Sequence, residues 1–217
     1  MSSSPNPNTP AFYPTAKTAL LLLDYHSHII NMIQPPEEQA KLLSAVSGLI
    51  SAARESSAPI VHCLVDFGAE PAQTSKLKER WETMYKPLLS STPEAAKEWA
   101  GFLPSARPGG SPENETTVFK VPGCVSAMKS KDLLSLLKDE YRVDSLVICG
   151  LVTSGAVLST AREAADLGFV TTVVQDGCWD YDADSHTVIV NKVLPMSVWV
   201  VGLQEGLHLL GGAGESS

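Results

Sequence analysis

The sequence is poor in cysteine, and the few cysteines that it has are scattered. Cys63, Cys124, Cys149 and Cys178 form no C-x-x-C pair and no zinc-finger spacing. Cys63 and Cys149 lie inside apolar runs, as buried and reduced thiols do. We therefore expect neither a disulfide framework nor structural zinc, and we expect a reducing, cytoplasmic location.

Basic residues and long apolar runs are also scarce. The chain of 217 residues has 16 Lys and Arg against 24 Asp and Glu, a formal net charge of −8. Nucleic acid is therefore not an expected partner, because phosphate contacts need clustered basic residues. The apolar run at 19–23 is far shorter than the roughly 18 residues of a membrane helix, so no membrane association is expected.

The two ends of the chain differ in composition from the middle. Residues 1–16 are rich in Ser, Pro and Asn and lack the charged start and apolar stretch of a signal peptide. We predict a disordered tail over 1–16, one domain over 17–211 and a flexible tail over 212–217.

Apolar runs and helical patterns alternate along the chain. Short runs rich in Val, Ile and Leu end in a polar residue or glycine, as buried strands of a parallel sheet do, at 19–23, 59–65, 145–149 and 170–174. Helical spacing of apolar residues occupies 37–55, 131–141 and 154–167. The alternation predicts an α/β fold with a doubly wound, mostly parallel sheet.

Polar residues at strand ends are the first candidates for chemistry, because ligands of open parallel sheets bind beyond the carboxyl ends of the strands. Asp24 closes the first strand, where it serves proton transfer or caps the next helix. Lys120 follows another short strand and is a natural partner for Asp24. The segment 149–160 runs from a strand through a Gly-rich turn into a helix, whose first N–H groups are expected to form an anion or oxyanion site; an ordinary strand-to-helix junction is the alternative.

Three segments together resemble the isochorismatase-like hydrolase superfamily: TALLLLDYHSHII, TTVFKVPGCVSAM and VICGLVTSGAVLSTAREAADLGFVTTVVQD. The resemblance covers roughly residues 18–195. It implies a six-stranded parallel sheet flanked by helices, and a site where an Asp, a Lys and often a Cys converge. Asp24 and Lys120 match the first two, and Ala156 stands where the amidase members have their nucleophilic cysteine.

The alanine changes the chemistry that the resemblance implies. A methyl group cannot attack a carbonyl, so Ala156 supplies no thiol nucleophile. True isochorismatases also lack this cysteine and hydrolyse an enol ether with an acidic residue and water. The favoured function is hydrolysis of a small organic acid or related molecule, with isochorismate-type enol ether cleavage as the specific hypothesis. A cysteine amidase whose cysteine became Ala156, and a non-catalytic small-molecule-binding protein, are the alternatives.

The resemblance also implies substrate contacts. His26 stands where isochorismatases have a substrate-contacting glutamine. The turn Leu151, Val152, Thr153, Ser154 and Gly155 is expected to contain a cis Leu151–Val152 bond, with the Val152 and Ala156 N–H groups aimed at one point. Trp81, in the Pro-rich stretch 66–110, is a further candidate for substrate binding.

Cofactors and metals are not expected. His26 and His28 would point about 200° apart on a helix, and no His-rich cluster follows the second strand. No phosphate-binding glycine motif is present. The expected partners are a small-molecule substrate and further copies of the chain, because the resemblance implies a homodimer or larger homo-oligomer.

Overall fold

The computed structural model describes residues 6–103 and 114–211. Within these ranges six strands form one sheet in the order β3-β2-β1-β4-β5-β6, and every neighbouring pair is parallel. The strands are β1 (Thr18–Leu23), β2 (Ile60–Val65), β3 (Glu115–Lys120), β4 (Ser145–Leu151), β5 (Val170–Trp179) and β6 (Trp199–Val201). The predicted α/β fold with a six-stranded parallel sheet is confirmed.

Helices connect the strands. They are α1 (Ser27–Ile30), α2 (Pro36–Ser56), α3 (Leu77–Arg80), α4 (Lys86–Ser91), α5 (Leu133–Ser135), α6 (Leu158–Asp166), α7 (Ala183–Val188) and α8 (Leu203–Leu209). Wider π-helical turns at Trp81–Tyr85, Leu136–Glu140, Thr153–Val157 and Ile189–Val193 join or extend them. Short 3-10 turns lie at Pro10–Phe12, Thr15–Lys17, Pro93–Ala96, Ala127–Lys129 and Leu194–Met196. None of the helices in the described ranges is long and apolar enough to cross a membrane.

The longest helix, α2, follows from its sequence. Pro36 begins it and Glu37 and Glu38 occupy its first turn, where the positive end of the helix dipole favours acidic side chains. Ser57 ends it in the left-handed conformation, with φ of 59°. The apolar face of α2 packs against β1, β2 and β5.

The central strands β1 and β4 are buried along their whole length. The chain leaves β1 toward β2 on one side and leaves β4 toward β5 on the other. Since parallel crossovers are right-handed, α2 and α6 cover opposite faces of the sheet. The strand order reverses between β1 and β4, and a crevice for ligands is expected beyond their carboxyl ends.

The N-terminal segment corrects one prediction. Residues 6–16, expected to be part of a disordered tail, are described by the structure and contain two short 3-10 turns. Pro10 is buried, and the Trp199 indole Nε1 donates to the Asn8 carbonyl at 2.9 Å. The apolar Pro10 and the edge strand β6 supply contacts that composition alone does not reveal. Residues 1–5 and 212–217, the rest of the predicted tails, lie outside the described residues.

Strand β5 is longer than the apolar run that predicted it. The run 170–174 stops before two polar residues, but the strand continues through the exposed Gln175 and Asp176 to Trp179. Its pairing with β4 shifts between Ile148 and Gly150, and this irregularity accommodates the extra length. The strand therefore ends at Trp179, beside the end of β4, and Asp180 follows it.

Candidate active site

Asp24 lies at the reversal point of the sheet. Leu23, the last residue of β1, is in register with Cys63 on one side and Gly150 on the other. Asp24 leaves the strand with φ of 54°, and its backbone N–H donates to the Cys63 carbonyl at 2.9 Å. Its carboxylate is buried at the carboxyl edge of the sheet, as the sequence predicted for a strand-end residue.

Lys120 reaches Asp24 across β2. It ends β3 with a side chain that is almost completely buried. Its Nζ donates to Asp24 Oδ2 at 2.6 Å and to the Val125 carbonyl at 3.0 Å. The sequence placed Asp24 and Lys120 in one site, and the structure brings them into direct contact.

The two oxygens of Asp24 have different surroundings. Oδ2 accepts from Lys120, whereas Oδ1 is buried and has no hydrogen-bond partner among the described residues. Burial raises the pKa of Asp24 above its ordinary value, and the Lys120 charge and hydrogen bond oppose part of that rise. Asp24 is thus a desolvated carboxyl group with one oxygen fixed by Lys120 and one oxygen without a partner among the described residues.

His26 is held by the backbone on both ring nitrogens. Nδ1 lies 2.7 Å from the Ala96 carbonyl, which can only accept, so Nδ1 carries the proton. Nε2 accepts from the Val65 N–H at 3.2 Å. Burial lowers the pKa of His26 to about 3, so the 4.0 Å approach of Nε2 to Asp24 Oδ1 is not an ion pair. The structure places His26 beside Asp24, but with its hydrogen-bonding capacity used.

The two histidines of the H-x-H pair do not point apart, and that expectation was wrong. His26 is the extended residue that precedes α1, so helical geometry does not separate its side chain from that of His28. The two rings stack with centroids 5.8 Å apart. Within the residues that the structure describes, no group of three or more His, Cys, Asp or Glu side chains is arranged to hold a metal.

The turn after β4 contains Ala156 and the expected cis bond. The Leu151–Val152 peptide is cis. Ala156 is buried in the π-helical turn that precedes α6. A methyl group placed on Gly155 would lie 3.8 Å from Val125 Cγ1. Gly155 therefore lies close to Val125, whose carbonyl accepts a hydrogen bond from Lys120, so the third motif lies near the Asp24–Lys120 pair.

Two residues that the sequence analysis missed hold this turn. The Ser154 N–H donates to Asp180 Oδ2 at 2.6 Å, and Thr153 Oγ1 lies 2.8 Å from His186 Nδ1. Asp180 follows a strand, as the other predicted site residues do. It was not predicted because the apolar run that indicated β5 stops at residue 174. The signal for His186 was absent, because nothing local links it to a turn 33 residues earlier.

Trp81 lies between α3 and α4, in the segment 66–103 that follows β2 and is called the covering segment below. It is buried, stacks nearly parallel on Phe67 with centroids 6.0 Å apart, and Phe67 in turn contacts the His26 ring at 4.7 Å. Its indole Nε1 is buried with no hydrogen-bond partner among the described residues. Trp81 is therefore connected to His26 through the ring of Phe67, and its indole N–H is a donor without a partner among the described residues. The end of this Pro-rich stretch, 104–110, lies outside the described residues.

Three of the four cysteines lie in strands and are buried. Burial raises the pKa of Cys149 to about 12, with an opposing hydrogen bond from Tyr25, and burial also raises the pKa values of Cys63 and Cys178. Cys124 is partly buried in the loop that follows β3. A thiol with a raised pKa is a poor nucleophile at neutral pH.

Two clefts border the site. One of about 880 Å³ is lined by His26 and the segment 92–100, and another of about 640 Å³ runs along β3 and is lined by Lys120. Neither is lined by Asp24 or Ala156. The candidate site is therefore defined by the buried charge pair and the turn at the reversal point, not by the volume of a cleft.

The chain is similar to several known proteins. It is 24% identical over 196 residues to the uncharacterized isochorismatase family protein YecD of Escherichia coli O157:H7, covering 89% of this chain and 96% of the relative. Among solved structures, a cysteine hydrolase from Pseudomonas syringae pv. phaseolicola superposes with a TM-score of 0.70 at 15% identity, covering 97% of this chain and 98% of the other. N-carbamoylsarcosine amidase from Thermoplasma acidophilum superposes with a TM-score of 0.64 at 18% identity, covering 86% and 96%.

The family assignment agrees with the fold and the strand order. The Isochorismatase domain matches residues 18–205, from the first residue of β1 into α8. The matched range contains Asp24, Lys120 and Ala156. This chain belongs to the isochorismatase family of hydrolases.

Proposed function

We propose that this protein hydrolyses a small organic molecule with Asp24 as its acid and base, water as the nucleophile and no cysteine nucleophile. The observation that carries the proposal is the buried Asp24–Lys120 pair, in which one carboxyl oxygen is fixed and the other has no partner among the described residues. Burial raises the pKa of Asp24, which favours a protonated, donating form.

Isochorismate-type cleavage of an enol ether is the reaction type that suits this group best. Asp24 Oδ1 donates its proton to the vinyl carbon, which leaves an oxocarbenium-like centre. Water adds to that centre, and the Asp24 carboxylate takes the proton that the water loses. The resulting hemiketal collapses to a carbonyl compound and an alcohol, so the net reaction consumes one water.

The neighbouring residues have supporting roles in this mechanism. Lys120 holds Oδ2, so the proton is carried at Oδ1, and it stabilises the carboxylate after transfer. His26, with both nitrogens bound to the backbone, positions the segment that follows Asp24 instead of contacting substrate.

In the proposal, the turn that follows β4 and Trp81 of the covering segment supply the groups that bind the substrate. The N–H groups of Val152 and Ala156 hold a substrate oxygen, with the turn from Leu151 to Gly155 as their frame. The unpartnered indole N–H of Trp81 donates to a second acceptor, since a buried donor without a partner costs about 1–3 kcal/mol.

Amide hydrolysis is the alternative within the family. Two of the similar structures are a cysteine hydrolase and an amidase, and Ala156 stands at the position of the family's thiol. The three strand cysteines do not support a replacement nucleophile, because burial raises their pKa values. A binding protein without activity is the remaining alternative, and the Asp24–Lys120 pair argues against it because a binder needs no buried catalytic pair.

A substrate panel tests the proposal. The wild-type protein is incubated with isochorismate, with simple enol ethers and with a set of small amides, and products are identified by NMR and mass spectrometry. Enol ether turnover is expected, and Asp24→Asn should lower it roughly 100- to 10,000-fold.

Asp166→Asn is the matched control, because Asp166 is an exposed carboxylate at the end of α6 and lines neither cleft. It should retain wild-type turnover. Full activity in Asp24→Asn would remove Asp24 from the mechanism, and turnover of amides alone would favour the amidase alternative.

A further inference from the structure

The carboxylate of Asp180 is built into the turn that forms the candidate site. Leu151 of β4 is in register with Trp179 of β5, so Asp180 lies beside the start of the turn. Its side chain is buried, with a residue exposure of 8%. Oδ2 accepts from the Ser154 N–H at 2.6 Å, and Oδ1 accepts from the Asp182 N–H at 3.3 Å.

No basic side chain neutralises this carboxylate among the residues that the structure describes. Lys120, the cation of the site, is already paired with Asp24. The charge of Arg80 lowers the pKa of Tyr181 whereas that of Asp180 raises it. Arg80 forms no ion pair with Asp180 among the described residues. The turn therefore contains a carboxylate whose hydrogen-bond donors, among the described residues, are the backbone N–H groups of Ser154 and Asp182.

This charge changes what the start of the α6 turn can bind. N–H groups at the start of a helix ordinarily attract an anion. Here a protein carboxylate already occupies the Ser154 N–H, so a second anion next to it would meet like-charge repulsion in a desolvated site. A neutral carbonyl oxygen needs donors as well but carries no net charge, so it escapes that repulsion.

We propose that Asp180 is a specificity-determining residue that makes this site select uncharged compounds over the corresponding carboxylates. The inference rests on the proposed function for the location of the substrate. It narrows the substrate class to neutral small molecules that present a carbonyl-type acceptor to the turn, and it disfavours isochorismate itself, which is a carboxylate.

A matched pair of probes isolates the charge. Benzamide and benzoate have nearly the same shape and differ in charge at neutral pH. Each is titrated at pH 7.5 into the full-length protein, and its dissociation constant is measured from the backbone amide NMR shifts of residues 152–156. Binding is read without turnover, so failure of hydrolysis and failure of charge selection are separate results.

Asp180→Asn removes the charge and keeps an acceptor for the Ser154 N–H. Wild type should bind benzamide at least tenfold more tightly than benzoate, and the variant should reduce that ratio to threefold or less. Asp166→Asn, the same charge change at the exposed end of α6, should leave the ratio unchanged. If Asp180→Asn fails to fold, Asp180→Ser supplies a neutral acceptor in its place.

Three results would overturn the inference. The first is benzoate binding to wild type as tightly as benzamide. The second is an unchanged ratio in the neutral variants. The third is the absence of shifts at residues 152–156 with 20 mM benzamide, on the order of the weakest affinity that a small neutral ligand of such a pocket should show.

Discussion

At the scale of single residues, the proposed chemistry depends on the different surroundings of the two carboxylate oxygens of Asp24. Asp24 has one oxygen held by Lys120 at 2.6 Å and another that is buried without a partner among the described residues. Desolvation raises its pKa and the Lys120 charge moderates the rise. A group in this state gives up a proton more readily than an unpaired buried carboxyl and holds one more readily than an exposed one.

Replacing Lys120 with methionine should show how far the charge of Lys120 offsets the effect of burial on Asp24. Lys120→Met leaves the Asp24 carboxylate buried and uncompensated, so the free energy of unfolding at pH 8 should fall by about 3–5 kcal/mol. The folded-state pKa of Asp24 is raised already and rises further in the variant. Destabilisation therefore grows as pH rises above the ordinary pKa of 3.8, and the variant should approach wild type near pH 4.

Urea denaturation at pH 4 and pH 8 measures both effects. Lys41→Met, at an exposed position of α2, is the control and should change the unfolding free energy by less than about 0.5 kcal/mol. An equal loss at both pH values would show that Lys120 acts through packing and not through its charge on Asp24.

At the scale of elements, the covering segment is tied to the sheet by buried charges. His62 of β2 lies between two carboxylates: Nδ1 is 2.6 Å from Glu98 Oε1, and Nε2 is 2.9 Å from Glu115 Oε1. Arg54 of α2 donates to both oxygens of Glu115. The backbone of Glu98 pairs with that of His26, so this network is connected to His26 and through it to the segment that follows Asp24.

The stability of the protein should depend on the protonation of His62. Burial alone would lower its pKa, but the hydrogen bonds that the His62 ring donates to Glu115 and Glu98 outweigh burial and raise the pKa to about 9. Because the folded-state value exceeds the unfolded value of 6.5, the contribution is complete below pH 6.5 and is lost as pH rises through 9. The loss should be on the order of 3 kcal/mol.

The unfolding free energy measured from pH 6 to pH 10 checks this expectation. Wild type and the exposed-site control His208→Asn should both lose stability between pH 6.5 and pH 9. His62→Asn should be less stable at pH 6 and should lack that decline. A parallel decline in His62→Asn would assign the pH dependence to other groups.

Glycines in two packed helices should respond oppositely to an added methyl group. A Cβ on Gly206 of α8 would lie 2.6 Å from Val174 Cγ2, whereas a Cβ on Gly48 of α2 would lie 3.7 Å from Leu207 Cδ2, an ordinary contact. Gly206→Ala should therefore destabilise by about 1–3 kcal/mol through overpacking. Gly48→Ala should stabilise by about 0.5–1 kcal/mol, because alanine loses less backbone entropy in a helix.

Thermal and urea denaturation of the two variants side by side measure the difference. The same substitution on two helices that pack together separates steric overlap from helix propensity. Stabilisation by both alanines would mean that α8 can move away from β5 without loss.

At the scale of the whole molecule, the homo-oligomer remains a prediction, and β6 at the edge of the sheet is a candidate part of its interface. The apolar run Val198, Trp199, Val200 and Val201 has the composition of an interface segment or of a buried last strand or helix, and three of its residues form β6. Val201 is buried, while Trp199 is 45% exposed. The half-exposed side chain of Trp199 is thus a candidate contact for a second copy of the chain.

Light scattering over micromolar concentrations tests the oligomer. A mass of at least twice 23.1 kDa is expected, and Trp199→Glu should shift the protein toward the monomer if β6 contributes to the interface. The exposed Leu167→Glu is the control for added charge. A particle of 23.1 kDa at every concentration would refute the prediction.

Much of the fold followed from local patterns in the chain. Apolar runs that end in a polar residue predicted β1 and β2, and helical spacing at 37–55 predicted α2. These patterns work because burial on both faces of a strand, or on one face of a helix, is a local requirement on residue type. The Asp24–Lys120 contact was anticipated for the same reason, since both residues end parallel strands and such ends meet at one edge.

Tertiary structure alone decided how the site residues are used. His26 has the sequence position of a substrate contact, yet its nitrogens bind Ala96 and Val65, which are 70 and 39 residues away along the chain. Asp180 became part of the turn because β5 continues past two polar residues that normally end a strand. Sequence determined which side chains reach the carboxyl edge of the sheet, because that depends on local burial. Their hydrogen-bond partners depend on distant segments that meet only after folding, so only the folded chain assigned them.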